Sequence, residues 1–163
     1  MAKVMVKNKY GLVNTKGDEV VPIIYDRVYS FLDGLVMVEI DNKYGLVNIS
    51  TNEVLPVIYD KIHEYRDGYD FIHVEKDGKF GLVNMSGNIV IPAIYDFIKG
   101  FEDGLTMVGR ERKYGYVDGS GDEVIPCIYD ELSSSFTDGL ASGKREGKSV
   151  YVNRLGEEFP SEY

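Results

Sequence analysis

Few side chains in this sequence are suited to nucleophilic or metal chemistry. The chain of 163 residues has one cysteine and two histidines. Zinc is held by about four nitrogen or sulfur ligands, and His63 and His73 have no further cysteine or histidine close to them in sequence. Cys127 and the serines at 133–135 lack the local signatures of catalytic nucleophiles. We interpret the cysteine as a small core residue and the serine run as a loose connector. The sequence thus predicts no metal, no cofactor and no enzymatic activity.

The acidic residue of a recurring tyrosine–aspartate pair is the other chemical candidate. The four pairs are Tyr25-Asp26, Tyr59-Asp60, Tyr95-Asp96 and Tyr129-Asp130. A row of such carboxylates suits a hard cation such as calcium, but calcium needs several oxygen ligands converging in one loop, and each repeat supplies a single invariant one here. We therefore expect each aspartate to cap the following connector by accepting hydrogen bonds from backbone N–H groups. Each tyrosine is expected to pack inward with its hydroxyl satisfied.

The charge of the chain restricts its partners. The formal net charge is −9 and the isoelectric point is about 4.7. A field of this sign repels nucleic-acid phosphates and anionic membranes, and it favours a basic partner. A single cysteine permits no internal disulfide, and neither the segment from Met1 to Asn8 nor anything after it forms a long apolar stretch. We therefore predict a cytoplasmic protein that binds neither nucleic acid nor membranes.

These residues are placed by a tandem repeat. The first block is a lysine, an aromatic residue and a glycine, with lysines at 9, 43, 79 and 113 and a degenerate copy from Lys148; the steps are 34, 36, 34 and 35 residues. The second block runs from a proline to Tyr-Asp, with prolines at 22, 56, 92 and 126. The third is an Asp-Gly pair at 33–34, 67–68, 103–104 and 138–139. Three blocks that recur in register define a repeat array.

Each repeat contains the local signals of a three-stranded antiparallel meander. Leu35 to Ile40 and Tyr44 to Asn48 are β-rich runs on either side of the turn pair Asp41-Asn42. A third run, such as Glu19 to Pro22, ends at the repeated proline, which cannot donate to a sheet and so suits a strand end or edge. The connector from Tyr25 to Gly34 is predicted to hold either a short turn of helix or a fourth strand.

We predict an all-β fold, a tandem array of about five such repeats of 34–36 residues in a single domain spanning 1–163. The approximate limits of the repeats are 1–34, 35–68, 69–104, 105–139 and 140–163. Terminal repeats are atypical because each lacks one neighbour, and the last repeat has Val150 where the glycine is expected. A four-stranded propeller blade usually takes roughly 40–45 residues. We therefore favour an open or curved array over a small five-bladed propeller-like ring.

The order of the blocks resembles the WG-repeat family of bacterial proteins. The resemblance runs from Met1 to Pro160 and rests on aromatic-Gly, hydrophobic-Val-Asn/Asp, Val-Pro, Tyr-Asp, Phe and Asp-Gly-Leu blocks in one phase. The tryptophan of the family is replaced here by Tyr10, Tyr44, Phe80 and Tyr114. The resemblance implies an all-β scaffold used for interactions, with no common catalytic activity. Packing is the expected role of these aromatic residues, and the glycine after each is expected to permit close backbone approach or a bulge.

Residues that differ between the repeats are the candidates for binding specificity. The second repeat departs most from the pattern, and the connectors also vary. Tyrosine and arginine are enriched at binding hot spots, so exposed aromatic residues with charged neighbours suit protein contact. The candidate contact residues are Tyr29, His63, Tyr65, Arg66, Tyr69, His73 and Phe97. The competing interpretation is that these aromatic residues fill gaps between repeats.

The function that follows is a non-catalytic scaffold that binds another protein. Two alternatives remain open. The negative charge and small size permit an inhibitor or immunity-type protein that neutralises a basic toxin or nuclease. Tyrosine and aspartate side chains at equivalent sites also permit a carbohydrate- or small-ligand-binding repeat protein. The sequence does not predict the oligomeric state, since the exposed edges of an open array suit pairing in a dimer, whereas a closed ring suits a monomer.

Overall fold

All the regular secondary structure of the described residues is β-strand. The computed structural model describes residues 1–30, 34–51, 54–63 and 71–161, with the backbone alone for Ser30 and Val54. Over these residues there are nineteen strands in five small antiparallel sheets, and none of them closes on itself. The predicted all-β tandem architecture is confirmed. Among the described residues, no helix is long and apolar enough to cross a membrane.

The strands follow one another with short turns and connectors. In chain order they are β1 (Ala2–Val6), β2 (Lys9–Val13), β3 (Glu19–Tyr25), β4 (Arg27–Ser30), β5 (Leu35–Ile40), β6 (Lys43–Asn48), β7 (Val54–Tyr59), β8 (Lys61–His63), β9 (Phe71–Lys76), β10 (Lys79–Asn84), β11 (Ile89–Tyr95), β12 (Phe97–Ile98), β13 (Leu105–Arg110), β14 (Lys113–Asp118), β15 (Glu123–Tyr129), β16 (Glu131–Leu132), β17 (Leu140–Arg145), β18 (Lys148–Asn153) and β19 (Glu158–Pro160).

The first sheet has three strands in the order β1-β2-β3, and each of the other four sheets has four consecutive strands in sequence order. The added strand comes from the connector, for which a helical turn and a fourth strand were both open. After Tyr25 the chain bends at Asp26, and β4 pairs with β5 in the next sheet, with Arg27 opposite Glu39. Each sheet after the first therefore combines the connector strand of one repeat with the meander of the next.

The hairpin turns require positive φ angles, which residues other than glycine rarely adopt. Asp41 and Asn42 have φ angles of 51° and 60°, which is the pattern of the two-residue type I′ turn that Asp-Asn predicts. Glu111 and Arg112 have φ angles of 54° and 62° in the corresponding turn, although neither residue favours a positive φ. The pairing register of β13 with β14 therefore determines the conformation of this turn, against the conformational preferences of Glu111 and Arg112.

The third strand of each meander except the last buries residues on one side. On β3, Val21 and Tyr25 are buried while Pro22 and Ile24 are exposed. The tyrosines at the same place on β7, β11 and β15 are also buried, as predicted; they are Tyr59, Tyr95 and Tyr129. The Tyr129 hydroxyl donates to Glu158 at 3.0 Å, and burial is the first cause that raises its pKa to about 12. These side chains give each sheet its hydrophobic core.

The chain divides into two compact units, Met1–Ile89 and Val90–Tyr163. In the first unit, Val21, Tyr25, Val28, Val36 and Val38 belong to one hydrophobic cluster. A second cluster lies in the other unit, around Tyr116, Ile125 and Tyr129. The predicted repeat limits, their grouping in one domain and the choice between an array and a ring stay predictions.

Candidate binding cleft beside the third sheet

The aspartate of each Tyr-Asp pair lies where two sheets meet. In the first repeat, Lys9 Nζ donates to Asp26 Oδ1 at 2.6 Å. The other carboxylate oxygen accepts from the backbone N–H of Asp41, in the turn between β5 and β6, at 3.0 Å. The lysine belongs to the first sheet and the turn to the second. One carboxylate therefore joins consecutive sheets, and we call this set of contacts the aspartate clamp.

The clamp recurs along the chain. Asp60 accepts from Lys43 Nζ and, at 2.7 Å, from the Asp77 backbone N–H. Asp130 accepts from Lys113 Nζ at 2.5 Å and from the Glu146 N–H at 2.9 Å. The lysine hydrogen bond is the first cause that lowers the pKa of each of these two carboxyls.

The predicted role of these aspartates needs one correction. They do accept hydrogen bonds from backbone N–H groups, but the N–H belongs to the turn of the next hairpin and not to the connector; Asp96, for example, accepts from the Glu111 N–H at 2.8 Å. The reason is that the connector forms a strand, whose N–H groups pair within the sheet, so that Asp96 itself donates its N–H to the Gly109 carbonyl. The clamp is thus a structural feature shared by the repeats.

One position near the clamp differs in every repeat. It is the first residue of the connector strand, and it faces a residue of the next strand directly in register. The four facing pairs are Arg27 with Glu39, Lys61 with Glu75, Phe97 with Gly109, and Glu131 with Lys144. Each pair is complementary, by charge in three sheets and by size in the fourth, where a Cβ on the glycine would lie 2.3 Å from the phenylalanine ring. The repeats therefore vary in chemistry here while they keep one backbone.

A cleft of about 480 Å³ lies beside this variable position in the first unit. It is bounded by β4, β5 and β6 of the second sheet and by β8 of the third. Its lining residues are Tyr29, Met37, Tyr44, Asp60, Lys61, Ile62 and His63. Half-buried aromatic and apolar side chains form its walls, and the exposed side chains of Lys61 and His63 lie at its rim.

Tyr29 is held in this cleft by a buried carboxylate. Its hydroxyl donates to Glu39 Oε2 at 2.5 Å, and its ring centroid lies 6.5 Å from that of Tyr44. The hydrogen bond to Glu39 is the first cause that raises the pKa of Tyr29. Arg27 Nη1 lies 3.8 Å from the same carboxylate oxygen. The Glu39 side chain is 5% exposed, so Tyr29 and Arg27 compensate the charge of a residue that has lost its water.

The opposite wall repeats this arrangement with different residues. Lys61 Nζ pairs with Glu75 Oε2 at 3.0 Å, and His63 Nε2 lies 3.9 Å from the same oxygen. His63 faces His73 across the β8–β9 ladder. Burial, followed by the charge of His63, lowers the pKa of His73. His63 is the imidazole that lines the cleft, and His73 lies directly opposite it on the neighbouring strand β9.

The structure brings some of the predicted contact residues together and separates others. Tyr29 and His63 both line the cleft. Phe97 packs against Tyr114, with ring centroids 5.7 Å apart, in the second unit. This supports the gap-filling interpretation for that residue. The remaining predicted residues, Tyr65, Arg66 and Tyr69, lie outside the described residues.

The sequence prediction missed the apolar lining of the cleft. Met37 falls in a run that was predicted to be a strand, and Ile62 falls in a connector for which a helical turn and a strand were both open, so neither was considered as a binding residue. A signal for Met37 does exist, because counting back six residues from the block lysines gives Lys3, Met37, His73 and Met107. A position with such different chemistry in otherwise similar repeats is the kind of position at which binding specificity arises.

The single cysteine does not have the features of a reactive thiol. Cys127 is half-buried on β15. Burial first, and then its interaction with Glu123, raises the pKa of the thiol to about 12. At neutral pH the protonated thiol is a poor nucleophile, which agrees with the predicted packing role. Within the part of the chain that the structure describes, no group of three or more His, Cys, Asp and Glu residues is placed to hold a metal ion.

Comparison with known proteins gives a family and a distant structural likeness. Residues 10–44, 44–80, 80–113 and 114–148 each match the family described as WG containing repeat. No curated protein matches the chain at a significant level. Among solved structures it is similar to Kluyveromyces lactis Hsv2, with 9% identity, a TM-score of 0.34, and coverage of 97% of this chain and 59% of that one.

Two other forms of Hsv2 show the same degree of likeness. The form with the complete loop 6CD and the form with that loop replaced by a Gly-Ser linker both have 8% identity and a TM-score of 0.39. The two matches cover 78% and 77% of this chain, respectively, and 46% of each Hsv2 chain. This chain thus spans about half the length of those proteins.

The repeated meander, the glycine after the aromatic residue and the aspartate clamp define a class, that of all-β tandem-repeat scaffolds. Within that class the family match extends from residue 10 to residue 148. The chain belongs to the WG containing repeat family, as its block order indicated.

Proposed function

We propose that this chain is a non-catalytic module that binds another protein, with the cleft between Tyr29 and His63 at the centre of the contact surface. The observation that supports this most strongly is the cleft itself. Its lining combines residues that vary between repeats, such as Met37, Lys61 and His63, with the repeated Tyr44 and Asp60. A scaffold that keeps its frame and varies one cleft is suited to selective binding.

The composition of the cleft fits a protein contact. Tyrosine and methionine are enriched in the cores of protein interfaces, and Tyr29, Tyr44 and Met37 are all half-buried here. The two tyrosine rings lose little conformational entropy on binding, because Tyr29 is already hydrogen-bonded to Glu39 and lies 6.5 Å from the Tyr44 ring. A partner side chain entering this cleft would contact its half-buried walls, and contacts of the partner with the rim residues Lys61 and His63 would exclude water from it.

The charge of the chain favours a basic partner. A net charge of −9 raises the association rate of a positively charged protein by electrostatic steering. An inhibitor of a basic protein is a special case of the same function. Equivalent aromatic sites for a glycan are not repeated at this position, because the residues three positions after the four clamp aspartates are Tyr29, His63, Lys99 and Ser133.

The proposal is tested by the dependence of partner capture on the cleft. The protein is immobilised and incubated with lysate of its own organism, and bound proteins are compared by mass spectrometry for three forms. These are the wild type, the cleft variant Lys61→Ala/His63→Ala and the control Lys16→Ala, which removes the same one formal charge from an exposed turn. We expect a partner that the control retains and that the cleft variant binds about tenfold more weakly. Equal capture by all three forms would refute the assignment of the cleft.

A further inference from the structure

At the junction between the first and second sheets, a lysine side chain of the chain itself contacts both sheets. There, Lys3 from β1 extends across the first sheet. Its Nζ lies 4.6 Å from the centroid of the Tyr10 ring and donates to the Val28 carbonyl on β4 at 3.0 Å. An ammonium group is thus held between an aromatic face and the carbonyl of an edge strand, two contacts that favour a cation.

The corresponding residues at the next junction form the same cradle without the lysine. Tyr44 takes the place of Tyr10, and Ile62 on the edge strand β8 takes the place of Val28. Met37 replaces Lys3, six residues before the block lysine in each case. Met37, Tyr44 and Ile62 all line the cleft of about 480 Å³.

We propose that this cleft binds the side chain of a lysine supplied by the partner protein, with the ammonium over Tyr44 and directed to the Ile62 carbonyl. The proposal rests on the proposed function and specifies the chemistry of its contact. The butyl stem of the lysine packs along Met37 and Ile62, as long cationic side chains pack their stems on apolar surface. A lysine of the partner thereby reproduces what Lys3 does within the chain.

The charged neighbours are compatible with a cation in this place. Lys61 lies at the rim, but its ammonium is paired with Glu75 at 3.0 Å. At the first junction the corresponding Arg27 is directed to Glu39 in the same manner, at 3.8 Å, and Lys3 is accommodated beside it. Asp60 also lines the cleft and is bonded to Lys43. Because these charges are already paired, the face of the Tyr44 ring and the Ile62 carbonyl are the groups that determine the binding of the ammonium.

In the second unit, the first residue of the connector strand β12 is aromatic. Phe97 stands where the first two connector strands have Arg27 and Lys61, and its ring packs against Tyr114. The aromatic face of that repeat is thus in contact with a side chain of the chain itself. Tyr44 instead has the half-buried Tyr29 ring at 6.5 Å, with the cleft beside both rings.

The test uses a small probe on the intact chain, so that it does not depend on any partner. Nα-acetyl-lysine methylamide is titrated into isotope-labelled protein, and amide and aromatic shifts are followed by NMR. Nα-acetyl-norleucine methylamide, which has the same four side-chain carbons without the ammonium, is the neutral comparison probe. We expect the lysine probe alone to shift the signals of Tyr44, Ile62 and His63 saturably, and the variant Tyr44→Leu to weaken its binding roughly two- to fivefold.

The variant Met37→Lys supplies the chain's own ammonium, and the control Met5→Lys makes the same change at an exposed position of β1. We expect Met37→Lys to abolish the saturable shifts and Met5→Lys to retain them, with both variants folded by circular dichroism. Saturation by the norleucine probe, no saturation by the lysine probe, or unchanged binding in Met37→Lys would each overturn the lysine site. None of these results affects the capture experiment with Lys61→Ala/His63→Ala, so the two proposals fail separately.

Discussion

At the scale of single residues, the aspartate clamp explains why lysine and aspartate recur 17 residues apart, as in Lys9–Asp26, Lys43–Asp60 and Lys113–Asp130. The sequence showed both residues in phase but gave no reason to connect them, because the contact forms only when the connector turns into the next sheet. The aspartates were therefore identified as hydrogen-bond acceptors, while their lysine partners and the hairpin turns were missed. Periodicity gives the positions of such residues, and the folded backbone gives their partners.

The clamp predicts a loss of stability in acid. The pKa of Asp60 is lowered from its ordinary value of 3.8, first by the hydrogen bond from Lys43. A lowered pKa in the folded state means that the folded state binds the proton less readily than the unfolded state, so its stabilisation is present above the unfolded pKa and is lost as the pH falls through the folded pKa. Urea unfolding of Asp60→Asn should accordingly depend less on pH below about 4 than that of the wild type. Parallel pH profiles for the two proteins would show that the clamp carboxylate has no such role.

At the scale of the strands, some features follow from local pattern and others do not. The hairpin around Asp41-Asn42 was predictable because the turn residues and the flanking β-rich runs agree. The connector strands β12 and β16 have two residues each, which is too short to show any alternation. Their pairing depends on the following hairpin, so sequence analysis left a helical turn and a strand equally open. The cleft is formed partly by β8, a connector strand of this kind, and for that reason it could not be placed from sequence.

In the fourth repeat, the glycine after the repeated aromatic residue is predicted to tolerate a side chain poorly. A Cβ on Gly115 would lie 2.3 Å from the Ile125 carbonyl oxygen, at the bulge between β14 and β15. We expect Gly115→Ala to lower the free energy of unfolding by about 1–3 kcal/mol, the usual cost of overpacking. Chemical denaturation measures this loss. Gly119→Ala is the matched control, because a Cβ there has nothing within 4 Å; a comparable loss in both variants would contradict the close-approach explanation.

At the scale of the whole molecule, the chain must keep many strand edges from pairing with other chains. The strands β3, β7, β11, β15 and β19 each lie at the end of a sheet in the described part of the chain. All five prolines of the sequence are in these strands, and all are exposed. Since proline donates no hydrogen bond, it blocks the addition of a further strand. The prediction that the third run ends at the proline is wrong, because β3 continues through Pro22 to Tyr25; the proline lies within an edge strand.

Removing an edge proline should therefore promote association. We expect Pro56→Val to form dimers or larger species in a concentration-dependent manner, because valine restores the missing donor on β7. Light scattering coupled to size exclusion measures the mass. The control is Ile58→Val, which changes an exposed apolar residue of the same strand but keeps the proline. If Pro56→Val and Ile58→Val keep the mass of the wild type at all concentrations, the edge-protection role is wrong.

The affinity of a captured partner for Met37→Lys tests the role of the cleft most directly. Isothermal titration calorimetry would compare the wild type, Met37→Lys and the charge-matched Met5→Lys. We predict that Met37→Lys binds the partner at least about tenfold more weakly, because its own ammonium takes the place between Tyr44 and Ile62, while Met5→Lys binds as the wild type does. Equal affinity of all three forms would contradict the account, since the partner would then bind without entering the cleft.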